Sequence, residues 1–170
     1  MNRIDPQAFS GGNVFIDGLG YAGALKDFEP PKIEHETIEA NASIGKREYV
    51  LPTLKPLSAK VSFQALDKAF FSLLKKGTMQ KIVIKSNVSS SSDTGAPTDT
   101  PVHVTLEGAI KSAEPPKFEM GKELELSLEM SVLKFAYRLG VEDVINYDTF
   151  TSTLKYAGED QFANIRNNIT

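Results

Sequence analysis

The sequence predicts a mainly β protein with about six to eight strands, one flanking α-helix at about 66–76 and a short C-terminal helix. Apolar and polar residues alternate over 124–132, and the alternation resumes out of phase over 133–139. Shorter stretches at 57–64 and 102–108 alternate in the same way. Strands that bury one face and wet the other produce a period of two, so strands dominate the expected fold.

Turn chemistry places the first elements of the chain. Residues 1–12 are polar and end in Ser-Gly-Gly, so we expect a flexible N-terminal arm. Residues 13–16 then lead into Asp17-Gly18, which is typical of a type I′ hairpin turn. Residues 19–25 would form the return strand, and the acidic stretch 32–39 is again strand-like.

Residues 40–56 read as a long irregular loop. Gly45, Pro52 and Pro56 interrupt this stretch, and a proline cannot donate to a strand ladder. A loop of this length inside a compact domain is usually functional.

One helix is expected over 66–76, where apolar residues recur at helical spacing. Asp67 can cap its first turn. Lys75 and Lys76 suit its C-terminal dipole, and Gly77 suits the position just past its end.

A second hairpin is predicted from the strand over 78–86 to the strand over 102–108, with a polar tip at 87–100. The tip contains Asp93-Thr94-Gly95-Ala96, the tetrapeptide of retroviral-type aspartic proteases. That chemistry needs two partly buried aspartates that share a proton. Here the motif follows a run of four serines, so we interpret it as a turn.

The stretch from Leu124 to Leu139 is about three times the usual strand length of ~5–6 residues. The phase slip at Val132-Leu133 predicts a bulge that bends the strand. On the wet face of the first half, Glu123, Glu125 and Glu129 form an acidic stripe.

The C-terminal region predicts one more strand and one short helix. Residues 147–156 are strand-like, and Asp160 can cap a helix that carries Phe162, Ile165 and Ile169 on one stripe. About ten residues do not hold a helix alone in water, so the stripe needs a surface.

Composition excludes several classes of function. We expect a single domain over 1–170, and zero cysteines exclude disulfides and thiolate chemistry. A net charge of −3 gives no reason to expect a basic surface that binds nucleic acid. We expect no secretory signal, no membrane insertion, no catalytic residues, no cofactor and no metal.

The two histidines do not predict a metal site. His35 lies between two glutamates, but neighbours on a strand point to opposite faces. His103 has no ligand spacing.

Glutamates at six positions leave three readings open: 34, 36, 39, 123, 125 and 129. They could form a paired-carboxylate site, a solvated strand face, or an acidic surface that repels a polyanion. Spacing favours the solvated face over any carboxylate pair, and it does not separate that face from the repelling surface.

Short segments in one order carry a family likeness. They are Asn13-Val14-Phe15-Ile16-Asp17-Gly18, Tyr21-Ala22-Gly23, Pro31-Lys32-Ile33, Asp93-Thr94-Gly95, Leu106-Glu107-Gly108, 137–148 and 158–169. In their order and spacing the chain resembles the major tail tube protein of contractile-tailed bacteriophages and of the related R-type bacteriocins. The chain departs from that pattern at the 139–142 turn, at Thr170 and in the serine-rich run 89–92.

The resemblance implies a β-sandwich or barrel-like subunit. Six subunits would form a ring, and stacked rings would form the inner tube of a contractile tail, part of the virion after folding and assembly in the bacterial host cytoplasm. DNA would pass through the lumen without sequence-specific binding. The implied partners are further copies of the chain, the tail sheath protein, and the tape measure and baseplate proteins.

Candidate residues follow from that architecture. We expect an acidic lumen face, with the candidates Glu34, Glu36, Glu123, Glu125 and Glu129. Contacts between subunits are expected from the N-terminal arm, the 40–56 loop and the C-terminal helix, with the candidates Ile44, Arg47, Tyr49, Phe162, Ile165, Arg166 and Ile169. The alternative is a monomeric β-sandwich binding module for carbohydrate or protein, although the absence of Trp weighs against sugar stacking.

Overall fold

The structure, a computed structural model, describes residues 4–75, 78–91 and 95–170. Its elements in chain order are β1 (Gln7–Ile16), β2 (Leu19–Tyr21), β3 (Leu25–Glu29), β4 (His35–Ala42), β5 (Gly45–Leu54), β6 (Leu57–Phe63), α1 (Lys68–Ser72), β7 (Gln80–Ser91), β8 (Pro97–Glu114), β9 (Leu126–Leu139), β10 (Glu142–Asp148), β11 (Thr153–Tyr156), β12 (Glu159–Asp160) and α2 (Ala163–Ile169). The mainly β class with two short helices is therefore confirmed.

One large antiparallel sheet runs in the order β12-β11-β10-β9-β8-β7-β1-β2. From it β6 branches by pairing with β9, and β3 continues the branch by pairing with β6. The strands β4 and β5 form a separate two-stranded sheet. The path β3-β6-β9-β8-β7-β1 encloses one core, and its two end strands approach each other without pairing, since the Leu25 side chain reaches Gly12.

The core is packed from the inward positions of these strands, with α1 laid against it. Phe63 of β6 stacks on Phe70 of α1 with ring centroids 4.2 Å apart. Tyr21 meets the same Phe70 ring edge-on at 5.2 Å. Both phenylalanines and Leu73 are almost completely buried, so the helix is fixed by its apolar side chains.

The phase slip at Val132-Leu133 marks a real bulge in β9. In the pairing with β8, Glu107 lies opposite Lys134 and Gly108 lies opposite Val132, so Leu133 has no partner on that strand. The extra residue keeps Val132 and Phe135 on the buried side. The partner on the other edge of β9 also changes here, because β6 pairs with residues 126–132 and β10 pairs with residues 134–139.

Gly108 is the residue of β8 that this bulge requires. A Cβ atom at this position would lie 1.9 Å from the backbone oxygen of Ser131 and 3.1 Å from the Cα atom of Val132. No side chain fits at that separation, so β8 and β9 approach closely only because this residue is glycine.

Two predicted turn features are confirmed. Asp17 and Gly18 have φ angles of +50° and +82°, the pattern of a type I′ turn, and Ile16 pairs with Leu19. The side chain of Asp67 accepts a hydrogen bond of 2.8 Å from the Ala69 N–H, which makes it the N-cap of α1.

The irregular 40–56 loop was a wrong prediction, because this stretch is a β-hairpin. The strands β4 and β5 pair from Ala42 and Gly45 at the tip to His35 and Leu54 at the root. Gly45 occupies the tip with φ +150°, and Pro52 lies where the register shifts between Val50 and Leu54. A proline is tolerated at a bulge, so neither residue breaks the pairing.

The flexible arm and the polar tip were both predicted too long. β1 begins at Gln7 and pairs with β7, so the arm can extend no further than residue 6. The strand pairing of β7 with β8 extends to Ser91 opposite Pro97, which leaves most of 87–100 in strands. Asn87 and Ser89 donate hydrogen bonds to Asp99 across this ladder, and such polar rungs conceal the alternation that sequence patterns rely on.

Three further boundaries differ from the prediction. The helix expected over 66–76 ends at Ser72, and Lys76 and Gly77 lie outside the described residues. The return strand expected over 19–25 is divided between β2 and β3. The single strand expected over 147–156 is the end of β10, a turn and β11. Ser152 in that turn has a φ of +49°. Positive φ angles are uncommon for serine, so the sequence does not predict this turn.

Candidate assembly surfaces

The β4–β5 hairpin exposes several large apolar side chains. Its exposed apolar residues are Ile38, Ile44, Tyr49 and Val50, with Ile44 at the tip 98% exposed. Arg47 is exposed on the same hairpin. The predicted contact residues Ile44, Arg47 and Tyr49 therefore lie on one element, which is a hairpin and not the irregular loop expected from the sequence.

The root of the hairpin is fixed to the body of the protein. His35 contacts the Leu51 carbonyl oxygen through Nδ1 at 2.9 Å and the Tyr156 hydroxyl through Nε2 at 3.1 Å. Since a carbonyl only accepts, Nδ1 carries the hydrogen of that bond. The Lys55 N–H donates to the Glu34 carbonyl at 2.8 Å. The hairpin is thus held at its root by hydrogen bonds, while Ile44 at its tip is exposed to solvent.

The C-terminal helix α2 is held against the β10–β11 turn by Arg166. Its guanidinium donates to the Ser152 carbonyl at 2.9 Å and to the Asp160 carboxylate at 2.7 Å. This ion pair, and then the Phe162 N–H that donates to the same carboxylate, hold the pKa of Asp160 below its usual value. Arg166, a predicted contact residue, is therefore engaged within its own chain.

The apolar stripe of α2 is divided between the body and the surface. Phe162 and Ile165 are half-buried, and Phe162 lines a small cavity together with Pro52 and Leu54. Ile169 at the end of the helix is 70% exposed. Only this last position of the stripe is freely presented to another molecule.

The five candidate lumen glutamates do not form one acidic stripe. Glu34 lies before β4 and is paired with Lys55 at 2.6 Å and Lys32 at 3.4 Å. Its hydrogen bonds to these lysines, first to Lys55, lower the pKa of its carboxyl group. Glu36 accepts a hydrogen bond of 2.7 Å from the Thr53 hydroxyl.

The other three lie near the start of β9, and two of them are also paired with lysines. Glu125 meets Lys26 at 2.8 Å, which lowers the pKa of Glu125 and raises that of Lys26. Glu129 meets Lys111 at 2.7 Å, and the pKa of its carboxyl group is lowered by that bond and then by the Ser58 hydroxyl. Glu123 precedes the strand and is exposed. The surface is therefore charge-balanced and not uniformly acidic.

Sequence reasoning missed two apolar features. Phe118 and Met120, in the loop between β8 and β9, are 100% and 97% exposed. A groove of about 440 Å³ opens where β1 and β3 fail to pair, with Phe9 and Phe28 on its walls. For the loop, the sequence did carry a signal, because two large apolar residues lie in a charged segment after Pro115-Pro116. No local sequence pattern predicts the groove.

The remaining candidate chemistry gains no support. Asp93 and Thr94 of the protease-like tetrapeptide lie outside the described residues. Within the described ranges, no group of three His, Asp or Glu side chains could hold a metal ion. Over the same part of the chain, no helix has the length and apolar character needed to cross a membrane.

Comparison with known proteins decides the family. The family model described as "Phage tail tube protein FII" matches residues 6–169. The chain belongs to the phage tail tube protein FII family. Proteins of this family are structural, so the chain is a structural subunit of a contractile tail tube and not an enzyme.

Solved structures agree with the fold of this tail tube subunit. The chain is similar to a protein chain in the sheath/tube terminator of an extracellular contractile injection system, PVC, in its extended state. The two are 12% identical and align over 75% of this chain and 92% of that chain, with a TM-score of 0.54. It is also similar to a protein chain in the PVC sheath–tube complex in the extended state. These two are 12% identical and align over 75% of this chain and 87% of that chain, with a TM-score of 0.51. No curated protein matches the sequence.

Proposed function

We propose that six copies of this chain close into a ring, and that stacked rings form the inner tube of a contractile tail through which DNA passes. The chain folds and assembles in the host cytoplasm and remains in the virion. The observation that carries this proposal is the β4–β5 hairpin, which projects from the body with Ile38, Ile44, Tyr49 and Val50 exposed.

The physics of an isolated hairpin favours coverage by another subunit. A two-stranded sheet alone is marginal in water, and both of its edges offer unpaired backbone groups. The side chain of Ile44 is exposed to water. Burying it fully against a neighbouring subunit would stabilise the assembly by about 1.5–3 kcal/mol. A neighbouring subunit that covers the hairpin removes both liabilities at once.

The contact residues divide into two kinds. Ile44, Arg47 and Tyr49 on the hairpin, together with Ile169 of α2, face outward and would touch the next subunit directly. Phe162, Ile165 and Arg166 would position α2 for such contacts, because Arg166 already fixes the helix to the β10–β11 turn.

Further partners follow from the architecture of a contractile tail. One similar solved structure is described as a sheath–tube complex, and we extend that pairing to this chain and a tail sheath protein. Tape measure and baseplate proteins would meet the tube in its lumen and at its end.

For the lumen we retain Glu34, Glu36, Glu123, Glu125 and Glu129 as candidate positions. Phosphate binding depends on cations that are available to replace counterions. Lys26 and Lys111 are already held by glutamates, so such a wall attracts DNA weakly although it is not uniformly acidic.

The lumen assignment has a direct test. Replacing Glu125 and Glu129 by Gln frees their two lysines, and we expect assembled tubes to gain salt-sensitive binding of double-stranded DNA. Glu142→Gln at the exposed start of β10 is the control. Equal binding by the double variant and the control would remove these two residues from the lumen.

The hairpin assignment is tested by Ile44→Glu in the full chain, with Val141→Glu as a matched control because Val141 is 93% exposed in a turn to which no contact is assigned. Sedimentation velocity should show that Ile44→Glu stays monomeric at concentrations where the unmodified chain and the control assemble. If Ile44→Glu assembled as the control does, the hairpin tip would not be a contact.

The family match favours the tube subunit over the alternative of a monomeric binding module for carbohydrate or protein. No observation on the described residues supports that alternative.

A further inference from the structure

The loop between β8 and β9 presents two apolar side chains on an ordered turn. The Glu119 N–H donates to the Lys117 carbonyl at 3.1 Å, and the Lys122 N–H donates to the Glu119 carbonyl at 3.4 Å. A Lys122–Glu119 ion pair of 2.7 Å closes the same turn. Phe118 and Met120, which this turn carries, are the most exposed large apolar side chains on it, at 100% and 97%.

The seam between β1 and β3 is a groove that could receive such side chains. Phe9 of β1 and Phe28 of β3 line it, together with the buried core residues Ile84, Val102 and Val104. Its volume of about 440 Å³ lies in the range of pockets that take an apolar ligand. The first half of β1 and the facing side of β3 also leave backbone edges unpaired here.

Charge at the two sites is complementary. Asp27 adjoins Phe28 on the groove wall, and Lys117 adjoins Phe118 on the loop. Among the described residues, neither Asp27 nor Lys117 forms an ion pair. A phenylalanine that entered the groove would therefore bring a cation to the rim where an anion is available.

The groove cannot be filled by the loop of the same chain in this structure, because Phe118 is completely exposed. The loop and the groove are different surfaces, so joining them between copies gives a head-to-tail contact. Such a contact repeats from copy to copy and either closes into a ring or continues as a filament.

We propose that Phe118 and Met120 of one copy insert into the β1–β3 seam of a second copy, with Lys117 of the first copy against Asp27 of the second. This contact rests on the self-assembly proposed above and names the two surfaces that meet. It is separate from the hairpin contact, which uses other residues.

The chain contains no cysteine, so introduced cysteines report on this contact alone. Met120→Cys and Phe9→Cys are combined in one full-length chain, since each residue is exposed and the two would face each other between copies. Disulfides form only when Cβ atoms come within about 4.5 Å. Mild oxidation should give a ladder of covalent oligomers on a non-reducing gel, and the control pair Val141→Cys with Phe9→Cys should give no such ladder.

A charge exchange supplies a second measurement. Lys117→Asp should raise the concentration needed for assembly, and adding Asp27→Lys to the same chain should restore it. Phe118→Ser should raise that concentration at least about tenfold, the scale of losing one buried aromatic side chain. Failure of the double exchange to restore assembly would count against the pairing of these two charges.

Electron microscopy of the same samples separates this contact from the proposed function. Rings or tubes without a ladder would overturn the seam contact and leave the tube intact. A ladder without rings would support the contact and overturn closure into rings. Dispersed protein with no ladder would overturn both.

Discussion

Replacing Gly108 by Ala should destabilise the folded protein more than an ordinary strand substitution. An added Cβ atom would lie 1.9 Å from the Ser131 oxygen and 3.0 Å from the Ser131 carbonyl carbon, and both are backbone atoms. Relief requires β9 to move by more than 1 Å relative to β8, since ordinary contact begins near 3.4 Å. β9 is paired on both edges, so this movement disturbs two ladders.

The expected cost is about 3 kcal/mol or more, at or above the upper end for overpacking a core. A chain of this size loses about 2–4 °C in Tm for each kcal/mol, so Tm should fall by roughly 6–12 °C. Thermal unfolding followed by circular dichroism would measure it. The control is Gly12→Ala, where the nearest atom to the added Cβ is the flexible end of Leu25 at 3.2 Å. Its free energy of unfolding should change by no more than about 1 kcal/mol. If the Tm of Gly108→Ala fell no further than the Tm of Gly12→Ala, the close approach of β8 and β9 at the bulge would be refuted.

Two other predictions concern the elements that present the assembly surfaces. Because the pKa of Asp160 is lowered in the folded protein, its ion pair with Arg166 stabilises the folded state above the ordinary value of 3.8. That contribution is lost as the pH falls below 3.8 through the lowered value, so Arg166→Ala should flatten this part of the acid unfolding curve. The same variant should speed hydrogen exchange in α2, and unchanged exchange would contradict the clamp. Tyr156→Phe removes the hydroxyl that meets His35 at 3.1 Å, so amide exchange at the root of the β4–β5 hairpin should rise while the core stays protected. A uniform rise across the sheet, or none, would contradict the local role of this bond.

The pattern of period two predicted β9 well, including its bulge, because an extra residue in a strand shifts the apolar phase and the shift is visible in the sequence. The Asp17-Gly18 turn and the Asp67 cap were also predictable, since each depends on neighbouring residues only. The β4–β5 hairpin was not, because its side chains face solvent on most positions and carry no alternation. Its Pro52 reads as a breaker unless the register shift beside it is known.

The surfaces were harder to predict than the fold. Alternation predicted that Glu123, Glu125 and Glu129 share one wet strand face, but it does not show which lysines they meet. Glu125 and Glu129, like Glu34, are each paired with a lysine distant in sequence. The groove between β1 and β3 arises from strands that do not pair, which is a property of the whole sheet. No local pattern encodes such an absence.

Cryo-electron microscopy of the concentrated chain would show whether six copies close into a ring. The proposal predicts closed rings with six-fold symmetry that stack into hollow tubes, with the β4–β5 hairpin covered by a neighbouring subunit. Monomers alone across salt and pH, or closed rings of another symmetry, would contradict it.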